Sequence, residues 1–481
     1  VGTEAADVNI LDAMHDPALF GPWFKGDSWT AWRAFLAALF GLPLPTEAEA
    51  DAYFRHTGRT AYAPGTPARE AWLAVGRRGG KSRIAALVAV YLAAFRTYDD
   101  VLAPGEVGTL PVIAADRRQA RVVLRYIEGF FDAVPMLRGM VTNRTKETLE
   151  LSNRCTIEVH TASWRTIRGM TLIGAVGDEI AFWRSDDSAN PDKEILNALR
   201  PGMATVPGAL LLCISSPYAR RGVLWEALKK HHGKDGDPVL AWQAPTQAMN
   251  PNVDPDVIAD AYEEDEASAS AEYGAEFRRD IETFIDLDLI KACVIPDRHD
   301  MPPAAGIRYR GFCDPAGGSG KDSFTLAIAH DETHDGKVIT VVDAMREAKP
   351  PFSPAAAIEG FAQLLLEYRI TKVTGDRWGG EFPREHFRNH FVNYDVCENV
   401  KSDLYRDLLP LLTSGQVELP DNPGLSRQLH GLERRTARGG RDSIDHAPRA
   451  HDDIANAVAG VAVIGRSGSE KGGYTVEPFI M

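Results

Sequence analysis

Residues Ala71 to Phe95 read AWLAVGRRGGKSRIAALVAVYLAAF. Five apolar residues suited to a buried strand lead into a glycine- and arginine-rich heptad, and an Ala-rich run suited to a helix follows. A loop that wraps phosphates needs glycines, so that backbone N–H groups can approach. It also needs a lysine for the β- and γ-phosphates, a hydroxyl for Mg²⁺, and a helix N-terminus behind them. Gly76, Arg78, Gly79, Gly80, Lys81 and Ser82 supply this set in strand-loop-helix order. One spacing departs from GxxxxGK[ST]: the pattern puts glycine at Val75, and here it comes one residue later, at Gly76.

Outward from this loop, TLPVIAA (109–115), CTIEVHT (155–161), LIGAVGD (172–178) and ALLLCIS (209–215) alternate with helix-like stretches. Such alternation predicts an α/β fold with a mostly parallel sheet covered by helices. Two of these strands end on polar residues, at the edge where open α/β sheets bind ligands. Asp178 is a candidate Mg²⁺ ligand, and Glu179 a candidate for polarising the attacking water. Ser215 and Ser216, followed by Pro217, suit a segment that senses a γ-phosphate through hydroxyl hydrogen bonds.

Around His231 to Pro255 the composition shifts to Gly, Asp, Pro and Asn, a sign of a boundary. We expect a P-loop ATPase domain over 1–232, a linker over 233–305, an RNase H-like domain over 306–465 and a flexible tail over 466–481. In the second domain YRGFCD, FTLAIAH and KVITVVDA read as strands ahead of a helix from Pro354 to Tyr368, the order of an RNase H-like fold. The strand KVTGD and a last helix from Asp453 follow. Acids fall at element ends: Asp314, Asp376 and the pair Asp452-Asp453. Two-metal phosphodiester cleavage needs several carboxylates converging from different elements, to hold cations about 3.5 to 4 Å apart. Upstream of the pair, RRTARGGRDSIDHAPR carries Arg434, Arg435, Arg438 and Arg441, which read as a basic loop able to grip DNA phosphates. His446 and His451 lack a Cys/His partner set and read as polar loop residues.

A net charge of −14 excludes a uniformly basic coat for nucleic acid, so DNA contact must be local. No apolar run reaches the roughly 18 to 20 residues needed to span a bilayer, and no membrane role is expected. Five dispersed cysteines without a CxxC pair suggest neither a zinc site nor a disulfide framework.

Taken in order, Trp32 in SWTAWRAFL, GRRGGKS, Ile167 to Gly169, VGDE, ISSP, Asn250-Pro251, AEYGAEF and the downstream acids resemble the large terminase subunit of tailed bacteriophages. The resemblance implies ATP-driven translocation of double-stranded viral DNA into procapsids, and Mg²⁺- or Mn²⁺-dependent cutting of concatemers. It implies action in the host cytoplasm, with the portal protein and a small terminase subunit as partners and a pentamer as the working state. Arg77 then corresponds to the arginine that helps trigger hydrolysis, Ser215 and Ser216 to the coupling segment, and Trp32-Arg33 to the adenine-contacting position. Asp453 matches the first acid of the last helix in the RuvC-like variant, and Asn456 stands at the second. Two other readings remain open: a cellular ATP-dependent DNA repair nuclease, and a nucleotide-gated DNA clamp with an inactive nuclease centre.

Overall fold

Strand β1 (Glu70–Val75) shows why the first half folds as it does. Leu73 and Val75 enter one apolar cluster, while Trp72 and Ala74 enter another on the opposite face. Successive strand residues point to opposite faces, so this sheet is covered on both sides. In the computed structural model, residues 8–162, 169–183, 191–334, 336–377, 380–436, 442–448 and 450–467 are described. The chain forms two compact units that change over between Arg279 and Asp280.

The sheet of the first unit continues with β2 (Gly108–Ala114), β3 (Val141–Arg144), β4 (Thr148–Leu151), β5 (Cys155–Thr161), β6 (Thr171–Leu172), β7 (Gly174–Asp178), β8 (Leu210–Ser215) and β9 (Val239–Ala244). Its order is β3-β4-β5-β2-β7-β8-β1-β9, with β6 beside β2. From β5 to β9 all pairings are parallel; β3 and β4 form an antiparallel edge. Helices α1 (Thr30–Phe40), α2 (Lys81–Ala94) and α3 (Arg117–Ala133) contribute to one apolar cluster, and α4 (Gly222–His231) to the other. This is the parallel, helix-covered α/β sheet expected of a P-loop fold.

The second unit contains β10 (Ile281–Thr283), β11 (Val294–Ile295), β12 (Tyr309–Asp314), β13 (Phe324–His334), β14 (Lys337–Ala348), β15 (Lys372–Gly375), β16 (Asn393–Val396), β17 (Val417–Pro420), β18 (Leu432–Thr436) and β19 (Asp442–His446). Its main sheet runs β11-β17-β14-β13-β12-β15-β16. Strands β12, β13 and β14 are antiparallel neighbours, and β15 then β16 add in parallel to β12. Three antiparallel strands followed by two parallel ones on the side of the first is the RNase H-like arrangement. Helices α5 (Lys401–Thr413) and α6 (Asp453–Ser467) complete this unit's core. Gly460 lets α6 lie against β12, since a Cβ there would meet the Phe312 ring at 2.5 Å.

Two sequence expectations need correction. The span 233–305 is not one linker: β9 within it pairs with β1 along its whole length, and residues from Asp280 onward belong to the second unit. The Gly/Asp-rich composition marks the turn before β9, whose LAWQA residues have the apolar content to close a sheet edge. The arginine-rich stretch is not simply a loop either, because β18 and β19 pair antiparallel within it and β10 pairs with β18. The tail from 468 onward lies outside the described residues.

Candidate functional site

In the first unit the ends of β7, β8 and β1 lie side by side, and β8 separates the phosphate-loop strand from the acid-bearing strand. Its tip, Ser215-Ser216, therefore falls between them. The buried Lys81 Nζ donates to the carbonyls of Val75 (2.8 Å) and Gly76 (3.2 Å) and to Ser216 Oγ (3.0 Å). Ser215 Oγ donates to Glu179 Oε2 at 3.1 Å, and the Ser216 N–H reaches the same oxygen at 3.4 Å. Loop, strand tip and Glu179 form one hydrogen-bonded set. Glu179 adopts a positive φ of 50°, a left-handed conformation uncommon for glutamate and a mark of constrained sites.

Asp178 is buried, and burial, reinforced by the neighbouring Glu179, pushes its carboxyl up to about 7 against the pull of Lys81. Its Oδ1 has no hydrogen-bond partner. Burial also holds the Lys81 ammonium below its ordinary range, although Glu179 and Asp178 oppose this. An orphaned buried carboxylate oxygen beside a phosphate-type loop fits a divalent cation, whose charge would favour the ionised acid. Ser82, the other expected Mg²⁺ ligand, is the second residue of α2 and partly exposed.

The loop is braced by residues that sequence reasoning assigned elsewhere or missed. Thr246 Oγ1 donates to the Arg77 carbonyl at 2.7 Å, and Asn250 Nδ2 to the Arg78 carbonyl at 2.9 Å. A Cβ on Gly76 would run into the Thr246 hydroxyl and the Tyr273 carbonyl, which accounts for the displaced glycine. Gly80 has φ +96°, and Arg78 a left-handed φ of 64°. Trp32 is fully buried and donates its indole N–H to the Gly79 carbonyl at 2.8 Å; Arg33 is tied to Glu49 at 2.7 Å. The expected adenine-contacting pair is thus a loop brace and a structural ion pair. Arg77 bonds through Nη1 to both Glu272 oxygens, at 3.0 and 2.9 Å. Arg168 and Ile167 lie outside the described residues, while Gly169 has φ +87°.

In the second unit Asp314 ends β12, Asp376 follows β15, Asp452 immediately precedes α6 and Asp453 opens it. Burial, then the nearby Asp376, raises the Asp314 carboxyl well above its usual range. Asp376 is raised too, chiefly by burial, although the Asn456 amide counters it by donating from Nδ2 to Oδ2 at 2.6 Å. Burial lifts Asp453 to about 6 against the Ser323 N–H that donates to its Oδ2 at 2.9 Å. Asp452 accepts from Tyr405 Oη at 2.8 Å and pairs with Lys401 Nζ at 3.0 Å. One buried and two half-buried carboxylates with raised affinity for protons are a natural seat for divalent cations. The orphaned Oδ1 of the fully buried Asn456 adds one more oxygen donor.

Among the described residues, the trio of ligand atoms within 4.8 Å of one another is Asp445, His446 and Asp452, rather than Asp314, Asp376 and Asp453. Lys401 supplies the positive charge there, lying 2.9 Å from Asp445 and 3.0 Å from Asp452. Burial works against the Lys401 ammonium, but Asp452 and Asp445 more than compensate and raise it. Of the arginines expected to face DNA, Arg434 is exposed on β18. Arg435 is turned inward, donating to Glu433 at 3.2 Å and to the His446 carbonyl at 3.0 Å. Arg438 and Arg441 lie outside the described residues.

Fold and side-chain placement define a class: a P-loop-type α/β unit followed in one chain by an RNase H-like unit with acids gathered at its strand ends. No family model and no curated protein matches the chain. Among solved structures it is similar to the large terminase of bacteriophage HK97, at 17% identity over 82% of this chain and 91% of that one, with a TM-score of 0.35. It is also similar to the large terminase of a thermophilic bacteriophage, at 13% identity over 82% and 94%, with a TM-score of 0.37. A third likeness, to the large terminase nuclease of thermophilic phage G20c, covers 37% of this chain and 95% of that one, at 16% identity and a TM-score of 0.31.

Proposed function

We propose that this chain is a large terminase subunit, which hydrolyses ATP in its first unit to translocate double-stranded DNA and cuts that DNA in its second. The observation that carries the reading is the hydrogen-bonded set of Lys81, Ser216, Ser215 and Glu179 across three adjacent strand ends. In it, Lys81 neutralises charge that grows on the γ-phosphoryl oxygens as the bond to ADP breaks. Glu179 orients the attacking water and takes up its proton. Asp178 and Ser82 would hold Mg²⁺, which adds charge stabilisation at the phosphates. Arg77, held here by Glu272, would be the trigger for hydrolysis once that pair opens.

In the second unit Asp314, Asp376 and Asp453 would hold Mg²⁺ or Mn²⁺, with Asp452 beside them; such cations would activate water and stabilise the leaving oxygen. Lys401 and Tyr405 orient Asp452; Ser323 orients Asp453. Arg434, exposed on β18, would contact the DNA backbone, and Arg438 and Arg441 are proposed to do the same, whereas Arg435 is held by Glu433 and the His446 carbonyl. Portal protein, small terminase subunit and a pentameric assembly on procapsids in the host cytoplasm complete the proposal. Separating the two activities tests it. Lys81→Ala is expected to abolish ATPase and keep metal-dependent plasmid cleavage, Asp314→Ala to do the reverse, and packaging into procapsids to need both. Wild-type ATP hydrolysis by Lys81→Ala would overturn the ATPase assignment.

A further inference from the structure

Helix α3 starts at the end of β2, where Asp116 accepts from the N–H groups of Arg118 and Gln119. Its apolar residues Val123, Leu124, Ile127 and Phe131 are buried in the core. On another stripe stand Arg118, Arg121 and Arg125, at spacings of three and four residues that put them on one face. Across from them the β3–β4 hairpin presents Arg144 and Lys146, and together the two elements line a groove of about 1010 Å³. Glu128 is the carboxylate in its lining. In a chain whose net charge is −14, so concentrated a cationic surface is not a sample of the average.

The charges are not all spent internally. Arg144 pairs with Asp132 at 2.8 Å, and Arg121 lies 3.5 Å from Glu147. Among the described residues no ion pair is found for Arg118, Arg125 or Lys146, and all three are exposed. Placing like charges one helical turn apart weakens a helix on its own, so the stripe has a cost that a bound polyanion would remove. Seven residues of helix separate Arg118 from Arg125, about 10.5 Å. That length spans about three phosphates of one strand at roughly 3.4 Å of rise each.

Helix α3, which forms one wall of the groove, also makes a contact toward the phosphate loop. Tyr126, next to Arg125, is part of a cation–π pair with Arg83, whose Cζ lies 5.8 Å from its ring centroid. The same Cζ lies 5.5 Å from the Trp29 ring. Arg83 immediately follows Ser82 of the phosphate loop.

We infer that this groove is a binding surface for the phosphate backbone of duplex DNA on the first unit, linked through Tyr126 and Arg83 to the phosphate loop. The inference rests on the proposed DNA-translocating function and adds a contact surface that lies outside the arginine-rich stretch at 434–449. Its occupant is nucleic acid rather than an acidic protein segment, because guanidinium forks and an ammonium spaced along a helix match a regular row of phosphates.

The test uses the full chain and a labelled duplex of about 30 base pairs, with binding followed by fluorescence anisotropy between about 50 and 200 mM salt. The triple variant Arg118→Ala, Arg125→Ala, Lys146→Ala is expected to bind at least about tenfold more weakly. The slope of log Kd against log salt should fall by about 2.7, since each lost phosphate contact removes about 0.9. DNA-free ATPase activity should stay at the wild-type level while stimulation by duplex is lost. A charge-keeping variant, Arg118→Lys, Arg125→Lys, Lys146→Arg, should retain the slope. Unchanged affinity and slope in the Ala variant would overturn the proposal. So would displacement of the duplex from wild-type protein, but not from the Ala variant, by a polyglutamate peptide of equal charge at lower concentration, which would mark an acidic-protein site. Either failure leaves the Lys81→Ala result standing, so the groove and the ATPase assignment fail separately.

Discussion

The side-chain amide of Asn456 donates to Asp376 at 2.6 Å, tying α6 to the acid that follows β15, and the same amide holds down the carboxyl of Asp314 at the end of β12. A neutral donor thus offsets part of the upward push that burial gives both acids. Replacing it by a third carboxylate removes the donor and adds charge to a buried cluster.

Asn456→Asp is therefore expected to lower the melting temperature of metal-free protein by roughly 5 to 10 °C. Added Mn²⁺ should raise it by more than it raises the wild type. Thermal unfolding with and without Mn²⁺ reads both effects. Equal melting temperatures in metal-free buffer would mean that the amide carries no such burden.

In the proposed nucleotide centre, Lys81 and Glu179 would act at different moments. Lys81→Ala should reduce both nucleotide affinity and turnover, with kcat down at least about a hundredfold. Glu179→Gln keeps the shape and the acceptor for Ser215, so it should bind ATP at near wild-type affinity and hydrolyse it about a hundredfold more slowly. Phosphate release and equilibrium binding of a fluorescent nucleotide separate the two. Hydrolysis by Glu179→Gln at the wild-type rate would remove Glu179 from the water-orienting role.

The β8 tip makes a further distinction testable. Ser216 touches Lys81 and Ser215 touches Glu179, so the two serines report on the phosphate side and the water side of the same centre. Either alanine variant should bind nucleotide within about threefold of wild type, since Lys81 keeps its bonds to the Val75 and Gly76 carbonyls and Glu179 keeps the Ser216 N–H. DNA-driven movement should fall by more than that. A translocation assay showing undiminished movement in both variants would contradict the coupling role.

Much of this arrangement was legible in the sequence. GRRGGKS between an apolar run and an Ala-rich run fixes a strand, a loop and a helix with little ambiguity, and the apolar runs ending in Asp178 and Ser215 fix two more strand tips. What stayed hidden depends on long-range partners. Trp32 is marked only by resemblance, as part of the adenine-contacting position, and its indole bond to the Gly79 carbonyl, 47 positions away, has no sequence signal. Thr246 and Asn250 sit in a Pro- and Asn-rich stretch that reads as a connector, yet they hold loop carbonyls. Lys401 and Tyr405 gave no signal at all, because a lysine and a tyrosine four residues apart on a helix are ordinary. Only the fold brings them to Asp452. The β18–β19 hairpin was missed because its strands are charged, with Arg434 and Arg435 where apolar alternation is usually sought.

Acid sensitivity of the first unit should trace partly to His56. Burial pushes its imidazole down to about 4, against the pull of the Gln243 carbonyl 3.2 Å away. A histidine whose folded value lies below the ordinary 6.5 contributes stability that is present above about pH 6.5 and is lost as pH falls toward 4. The shift corresponds to about 3 kcal/mol over that window. Because His56 packs against Trp242 of β9, at 5.4 Å between ring centroids, tryptophan fluorescence during urea unfolding at pH 7 and pH 4.5 should report the loss. His56→Asn should flatten the pH dependence; an unaltered slope would place the sensitivity elsewhere.

The adjacent acids Asp452 and Asp453 differ in what already occupies their oxygens. Asp452 accepts from Tyr405 Oη at 2.8 Å and lies 3.2 and 3.0 Å from Lys401 Nζ through its two oxygens. Asp453 has Oδ2 held by the Ser323 N–H at 2.9 Å, and its main-chain carbonyl is fixed by Thr325 Oγ1 at 2.7 Å. Among the described residues no donor reaches its Oδ1. A carboxylate fixed at one oxygen and open at the other is prepared to ligate a cation, whereas one saturated by a phenol and an ammonium serves mainly to orient. The neighbouring charges agree in part: Asp314 feels Asp453 ahead of Asp452, while Asp376 feels Asp452. Asp453→Ala is therefore expected to reduce metal-dependent plasmid cleavage at least about a hundredfold, with ATPase activity intact. Asp452→Ala should cost roughly tenfold, the scale of an orienting group, and be partly rescued by more Mn²⁺. It should also lower the melting temperature, because Lys401 then keeps only Asp445 as a counter-ion. Cleavage assays across a Mn²⁺ titration decide the ranking, and the reverse order would assign the open ligand position to Asp452.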